Sequence, residues 1–303
     1  MASREQSAFL VGGIYVGLYV LVGAAGEVYA GHLFQQIDFV ATLLLGFLLV
    51  TVVFRLVPQG GRLARTRPVL GMMALLNVST AGAWIGLFAG LKFVEPAIVV
   101  SLIIAIGPIA TVVLNALIRR GAPSLQSDKL ISVAVVPIAL YLVWVTMSGR
   151  TGMALDSGTA IGVAASILGG VAIAGTSVII KRLYDLEVTS GQMLSHRFYL
   201  VILVLVVWVD FDAARTVVSD HLVAAVLLAL STVIVPIWLI QQGIKRLEPF
   251  VCKMIILSSP LVTYLLQQFD QRLEQSPYTL AANVAILLLG VVTFLAHYRR
   301  VPQ

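Results

Sequence analysis

The chain has 303 residues, 59% of them hydrophobic and 11% charged, with a mean hydropathy of +1.00. Soluble domains carry about 25% charged residues, so this composition excludes an ordinary soluble fold, and the single cysteine, Cys252, excludes an internal disulfide and a multi-cysteine metal site. The formal charge of +6 does not indicate nucleic-acid binding, because the basic residues lie in short segments between apolar runs.

Ten apolar runs follow one another along the chain, each close to the roughly 20 residues that a helix needs to cross a bilayer. They predict spans at 8–29, 36–56, 69–90, 95–117, 129–147, 158–181, 190–209, 221–243, 249–268 and 278–297. A membrane β-barrel is disfavoured, since its strands would alternate apolar and polar residues. No polar cleavage region precedes the first run, which we therefore expect to be retained. The sequence predicts an all-α polytopic membrane protein.

The distribution of Lys and Arg predicts the orientation. With the N-terminus inside, fourteen lie in segments on the cytoplasmic side and four on the opposite side. Cytoplasmic loops carry an excess of these residues. We therefore expect a multi-pass protein of the inner (cytoplasmic) membrane with both termini in the cytoplasm.

A short motif occurs twice and predicts an internal duplication. Residues 90–96, Gly-Leu-Lys-Phe-Val-Glu-Pro, are echoed 153 residues later by 243–249, Gly-Ile-Lys-Arg-Leu-Glu-Pro. Five predicted spans precede the midpoint and five follow it, so the second half must enter the membrane upside down. We expect two inverted five-helix repeats, residues 1–150 and 151–303, around a central cavity, which is the architecture of many secondary transporters.

These features resemble the drug/metabolite transporter superfamily, EamA type. The resemblance covers essentially the whole chain and is carried by the ten spans, by Glu-Pro before spans four and nine, and by a proline in the middle of each, within 106–109 and 258–261. Arg197, near the start of span seven, also matches. The resemblance implies that spans one, three, four, six, eight and nine line a central cavity, with spans five and ten peripheral.

The function expected is secondary transport, as export, of a small organic metabolite such as an amino acid or a related carboxylate, by alternating access. No phosphate-binding loop is present, so ATP is not expected to drive it, and neither enzymatic activity, nor a metal, nor a cofactor is expected. The expected partners are the substrate, the lipid bilayer and protons, for a monomer or homodimer. The alternative is a lipid- or drug-handling membrane protein, or an intramembrane enzyme, with lateral access.

Polar and aromatic residues on the cavity spans are the candidate substrate ligands. They are Tyr15, Tyr19, Asn77, Trp84, Trp238, Gln241, Gln242, Lys253 and Ser258. Lys253 would receive a carboxylate or phosphate, and it has no counterpart in the first repeat, where Val100 stands. Its alternative is a side chain that snorkels to the headgroups. For the others, the alternatives are the interfacial aromatic belt and hydrogen bonds between helices.

Two residues are candidates for ion coupling. Glu27 is a carboxylate within a long apolar run, and it becomes a proton site unless the span shifts outward by a turn. His196 has a reference pKa of about 6.5 and could titrate near physiological pH.

A third set of residues is expected to be structural. Glu95 and Glu248 each precede a proline at the first turn of a helix, where a carboxylate meets the positive end of the helix dipole. Mid-span prolines kink helices or free carbonyls toward a cavity. The resemblance implies that Arg197 tethers a loop carboxylate or a backbone carbonyl. The structural set is Glu95, Pro96, Pro108, Arg197, Glu248, Pro249 and Pro260.

Overall fold

The computed structural model describes residues 2–56, 63–118, 133–247 and 249–298, and within them all side chains except those of 2–8, 249, 250, 253, 294 and 296–298. These ranges are helical, and no strand occurs among them. The apolar runs of the sequence become helices because a helix satisfies every backbone hydrogen bond within its own segment.

Fourteen α-helices and one π-helical turn make up the described chain. They are α1 (Ala2–Leu33), α2 (Phe39–Arg55), α3 (Arg67–Phe93), α4 (Pro96–Ile118), α5 (Val136–Met147), α6 (Thr159–Asp185), α7 (Ser190–His196), α8 (Tyr199–Trp208), α9 (Phe211–Asp220), α10 (Leu222–Ala229), the π-turn (Leu230–Ile234), α11 (Val235–Ile244), α12 (Pro249–Ile256), α13 (Ser259–Gln267) and α14 (Pro277–Tyr298).

Six helical stretches are long and apolar enough to cross a membrane. They are Phe9–Leu33, Arg67–Phe93, Pro96–Ile118, Thr159–Asp185, Ser190–Trp208 and Leu222–Ile244. Shorter apolar helices cover Phe39–Arg55, Val136–Met147, Met254–Gln267 and Pro277–Thr293. The predicted all-α class is thus confirmed for the described residues, and the chain is a polytopic membrane protein.

Helices α1 and α6 are the two packing centres of the bundle. Helix α6 packs along α3 and α4, while α1 packs along α11, α12 and α13. Aromatic side chains fill the space between α2, α3 and the break after α7, where Phe47, Phe88 and Phe198 are almost fully buried. Edge-to-face and stacked rings of this kind contribute beyond their buried area.

Glycines bring the packed helices into close contact. A Cβ added at Gly86 of α3 would lie 2.6 Å from the Cα of Gly169 on α6, and one at Gly26 of α1 would lie 2.9 Å from the backbone of Ser231 in the π-turn. Without a hydrophobic force between helices in lipid, small residues that allow such close approach drive their association.

Both copies of the repeated motif pack on these centres through their glycines. A Cβ at Gly90 would lie 2.5 Å from Oγ of Ser166 on α6, and one at Gly243 would lie 2.4 Å from Cγ2 of Val16 on α1. One turn further, a Cβ at Gly162 would lie 2.6 Å from Val94 Cγ2, and one at Gly12 would lie 2.7 Å from Leu247 Cγ.

Three interruptions occur in the apolar stretches of the second half. Helix α7 ends at His196 and α8 begins at Tyr199, a π-turn separates α10 from α11, and α12 ends just before Ser258 and Pro260. In the first half, Pro108 lies inside an uninterrupted α4. Of the two corresponding prolines Pro108 and Pro260, only Pro260 lies at an interruption.

Candidate functional site

Glu27 lies in the second half of α1, the longest of the described helices, and is partly buried. Its Oε2 accepts a hydrogen bond of 3.1 Å from Oγ1 of Thr263, which is fully buried on α13. At a rise of 1.5 Å per residue, Glu27 lies about 9 Å inside the Leu33 end of α1. A carboxylate at that depth is expensive and marks a pathway.

Open space lies beside Glu27 and Tyr19 on α1. Tyr19, Gly23 and Glu27 follow at i, i+4 spacing and are all partly accessible, and a Cβ added at Gly23 would meet nothing within 4 Å.

A second open region lies in the middle of α4. Residues 106–109 are partly accessible there, and a Cβ at Gly107 would also meet nothing within 4 Å. Helix α4 packs against α1, α3, α5, α6, α13 and α14.

Asn77 of α3 closes the break between α7 and α8. Its Oδ1 accepts the backbone N–H groups of Tyr199 (3.0 Å) and Leu200 (3.3 Å), and its Nδ2 donates to the carbonyl of His196 at 2.8 Å. A broken helix leaves such groups without partners. The Asn77 amide thus provides hydrogen-bond partners for backbone groups on both sides of the break. This amide, which was predicted to bind substrate, is hydrogen-bonded to the backbone instead.

Arg197 stands at this break with one neutral partner. Its Nε donates to Oγ1 of Thr80 at 3.3 Å, and its guanidinium carbon lies 5.4 Å from the ring centre of Phe198. Neither a loop carboxylate nor a backbone carbonyl accepts from it in the described part of the chain, in contrast to the tether implied by the resemblance.

The rest of the break is also basic. Arg55 at the end of α2 donates to the Tyr199 hydroxyl at 2.5 Å, and that hydroxyl donates to the carbonyl of Ser195 at 3.2 Å. His196 Nδ1 lies 2.7 Å from Ser195 Oγ and 3.0 Å from the Gln192 carbonyl. Since a carbonyl only accepts, the second contact favours a proton on Nδ1. The predicted titrating histidine therefore lies beside Arg197.

Tyr15 pairs with Trp238 at a position on α1 twelve residues before Glu27. Their rings meet edge to face at 5.7 Å, Arg246 stacks 5.0 Å above Tyr15, and Trp238 is 52% exposed. Arg246 also donates to Oε1 of Gln242 at 3.1 Å. This arrangement has the character of an interfacial aromatic group.

The remaining described candidates use local contacts. Trp84 stacks on Phe88 with ring centres 5.7 Å apart, and Ser258 donates to the Ile255 carbonyl at 2.6 Å. Gln241 is partly buried. Glu248 lies outside the described residues, as do the side chains of Lys253 and Pro249.

Glu95 is the centre of a buried polar group at one end of the bundle. It accepts from the Gly152 N–H at 2.8 Å, from Thr279 Oγ1 at 3.2 Å and from Gln267 Nε2. Burial raises the pKa of Glu95 above its ordinary value, against the three hydrogen bonds that lower it. The first N–H groups of α4 are capped by another side chain, because Gln267 Oε1 accepts from Ala97 at 3.1 Å. Glu95 therefore joins helices rather than capping its own.

Further links close the same end. Arg272 pairs with the buried Asp270 and donates to the Gly31 carbonyl at 3.2 Å, and His32 lies 3.5 Å from Asp270. Burial would raise the pKa of Asp270, but the hydrogen bonds and charge of Arg272, with the charge of His32, hold it below its ordinary value. We call this region, with the Glu95 group, the Glu95 end.

The partners of Arg197, Glu27 and Glu95 were not predicted from the sequence. Thr80, Thr263, Gln267 and Thr279 are all buried polar residues within apolar helices. A polar side chain in a span is costly unless it is hydrogen-bonded, which predicts that each has a partner but does not identify that partner. Among the described residues, no group of three His, Cys, Asp or Glu side chains could hold a metal ion.

Comparisons with known proteins establish the fold alone. No family model matches the chain, and no curated protein matches it. A solved structure titled only "Crystal structure of protein" is similar, with a TM-score of 0.56 and 18% identity, over 98% of this chain and 99% of that chain.

Proposed function

We propose that the chain is a secondary membrane transporter that exports a small organic metabolite, such as an amino acid or a related carboxylate, by alternating access of two inverted five-helix halves. In this proposal it belongs with the EamA-type proteins of the drug/metabolite transporter superfamily. It lies in the cytoplasmic membrane with both termini in the cytoplasm.

The two copies of the motif carry this proposal, because α1 touches them at its opposite ends. A Cβ at Gly31 would lie 3.2 Å from Pro96 of the first copy, and one at Gly12 would lie 2.7 Å from Leu247 of the second. Nineteen residues of helix separate the two contacts, or about 28 Å, close to the roughly 30 Å hydrocarbon core of a bilayer. Copies on opposite faces are what an inverted repeat requires.

The contacts themselves also correspond between the halves. Gly90 and Val94 meet Ser166 and Gly162 on α6, while Gly243 and Leu247 meet Val16 and Gly12 on α1. The motif partners are 153 residues apart, and their partners on the first helix of each half are 150 apart. The same two offsets hold for all four contacting positions. They support ten spans, in which α1 is equivalent to α6 and α3 is equivalent to span eight.

The open space at Gly23 and Gly107, together with a closed end, supports transport. We place the substrate in the open space beside Glu27 and Gly107, between the two halves. The polar links of the Glu95 end close one side, and alternating access requires them to separate when that side opens.

The first test is transport itself. Purified protein in liposomes is expected to take up at least one labelled solute among amino acids, nucleosides, sugars and phosphate esters, above protein-free liposomes. The absence of uptake for every solute in the panel would count against transport.

Glu27 is proposed as the proton site, with His196 as the alternative. A Glu27→Gln variant is expected to lose the pH dependence of transport, because glutamine keeps the acceptor for Thr263 but cannot ionise. His196→Gln serves as the paired variant. If Glu27→Gln kept the wild-type pH profile and His196→Gln lost it, the coupling role would pass to His196.

A further inference from the structure

Arg197 is a cation without a carboxylate partner among the residues that the structure describes. It is the eighth residue of the apolar stretch Ser190–Trp208, which places it about 10 Å from the nearer end of that span at helical rise. An arginine within a span is costly and is expected to pair with another group. In the described part of the chain, its one hydrogen-bond partner is the neutral hydroxyl of Thr80.

The guanidinium retains donors for a ligand. Arginine has five N–H donors in a planar fork that fits two oxygens of a carboxylate or a phosphate. The contact with Thr80 uses Nε alone, so both terminal nitrogens remain available. The side chain is partly accessible, while Thr80 is fully buried. The Thr80 hydroxyl therefore fixes Nε, and the two terminal nitrogens are left to bind a ligand.

The surroundings favour negative charge. Arg55 and His196 lie at the same break, and no ion pair joins either of them to a carboxylate among the described residues. Helix α8 begins two residues after Arg197 and has ten residues, so the positive end of its dipole lies at the break, opposite the negative end of the seven-residue α7. Glu27, another charged residue in an apolar helix, is hydrogen-bonded to Thr263.

The first half lacks this charge. With the offsets of 150 and 153 residues that the contacts give, the counterpart of Arg197 lies within 44–47 of the uninterrupted α2, none of which is charged. A role common to both halves, such as packing the second span of each repeat, is therefore performed without a cation. The break and the arginine occur together in one half only.

We propose that Arg197 binds the anionic oxygen group of the ligand, a carboxylate or a phosphate, at the break between α7 and α8. The inference rests on the proposed function in identifying that ligand as the cargo, and it makes the cargo an anion. The same chemistry could come from a phospholipid headgroup, so the test has one arm for soluble anions and one for lipid.

The first arm measures binding without transport. Purified protein in an uncharged detergent is titrated at constant ionic strength with glutamate, succinate, benzoate and inorganic phosphate, and with glutamine, succinamide and benzamide as neutral counterparts, while tryptophan fluorescence reports the Tm. At least one anion is expected to raise the Tm of the wild type where its neutral counterpart does not. In Arg197→Gln the midpoint concentration is expected to rise about tenfold to a hundredfold.

Three further variants make the result specific. Arg197→Lys keeps the charge and is expected to retain part of the response, which shows that a loss in Arg197→Gln is not misfolding. Thr80→Val removes the fixing hydroxyl and is expected to weaken binding less than Arg197→Gln. Arg150→Gln is the matched control, because Arg150 stacks 4.5 Å from the Trp144 ring centre outside the spans, and it is expected to respond like the wild type.

The second arm measures retained lipid by native mass spectrometry. Phosphatidylglycerol bound to the wild type and lost from Arg197→Gln would assign the site to a lipid phosphate. Equal anion responses in wild type and Arg197→Gln would overturn the proposal, as would the absence of both anion and lipid binding. If wild type and Arg197→Gln transported a neutral solute equally, the protein would still be a transporter, but an anion would not be its cargo.

Discussion

At the scale of single residues, Glu95 has the most partners of the buried carboxylates described. Three donors from three different elements converge on it, and one of them, Gln267, also caps α4. Burial still outweighs the hydrogen bonds and raises its pKa. The protonated form is therefore favoured more in the folded protein than in the unfolded chain, and stability must depend on pH.

The sign of that dependence gives a prediction. An acid whose folded pKa is raised stabilises the fold fully below its unfolded pKa, and this contribution is lost as pH rises through the folded pKa. We expect the wild-type Tm to fall as pH rises from the ordinary value of 4.5, and to fall less in Glu95→Gln. The matched control is Glu274→Gln, an exposed carboxylate in the segment after α13. Equal slopes in all three proteins would contradict the assignment.

The sequence indicated some of these residues better than others. Glu95, Glu27 and Arg197 could be singled out because a charge in or beside an apolar run is conspicuous. Their partners could not, because a threonine in a span such as Thr80 or Thr263 has the same pattern whether it meets a charge or its own helix. The role of Asn77 could not be predicted either, because it depends on a break in another helix. No nearby glycine or proline indicates that break.

At the scale of elements, the contact between α3 and α6 depends on glycine. Gly86 faces the backbone of Gly169 and Ala165, neither of which can move aside as a side chain could. Gly71, on the same helix, would meet nothing within 4 Å if a Cβ were added. The two positions form a matched pair.

We predict that Gly86→Ala lowers the stability of the protein and that Gly71→Ala does not. Forcing a methyl group into a packed contact costs about 1–3 kcal/mol, whereas alanine in open space gains helix propensity. The Tm of each variant in detergent measures the effect. Similar values for both would show that the close approach of α3 and α6 is not needed for stability.

Helix positions followed from the sequence more closely than helix interruptions did. For some helices, the apolar runs predicted the ends to within several residues, as for 95–117 against Pro96–Ile118, since run length and bilayer thickness are directly related. Pro108 nevertheless leaves α4 unbroken, while Arg197 and Phe198 interrupt a helix without proline or glycine. There, the amide of Asn77 replaces the missing backbone partners, which is a tertiary effect.

At the scale of the whole molecule, the proposed ten spans place two exposed sites on opposite faces of the membrane. Arg65 precedes α3, and Ser219 lies near the end of the amphipathic α9. Five proposed spans separate them. Cys252 is buried and can be replaced by serine to give a background without reactive thiols.

In that background, we expect Ser219→Cys to react with a membrane-impermeant maleimide in intact cells and Arg65→Cys to react only after permeabilisation. An odd number of crossings and cytoplasmic termini together require this result. Labelling of both sites in intact cells would exclude five spans between them, and the reverse pattern would invert the orientation. Mass-tag shifts on gels provide the measurement.

The interruptions of the second half have a mechanical consequence. Helices α1 to α4 run unbroken, whereas the corresponding stretches after α6 contain the break at Arg197, the π-turn and the joint before Pro260. Bending stiffness is lost where the ladder of backbone hydrogen bonds is cut. Within the described part of the chain, helices α1 to α4 therefore form a stiff frame, and the three joints of the second half, one of which carries the proposed anion site, are compliant.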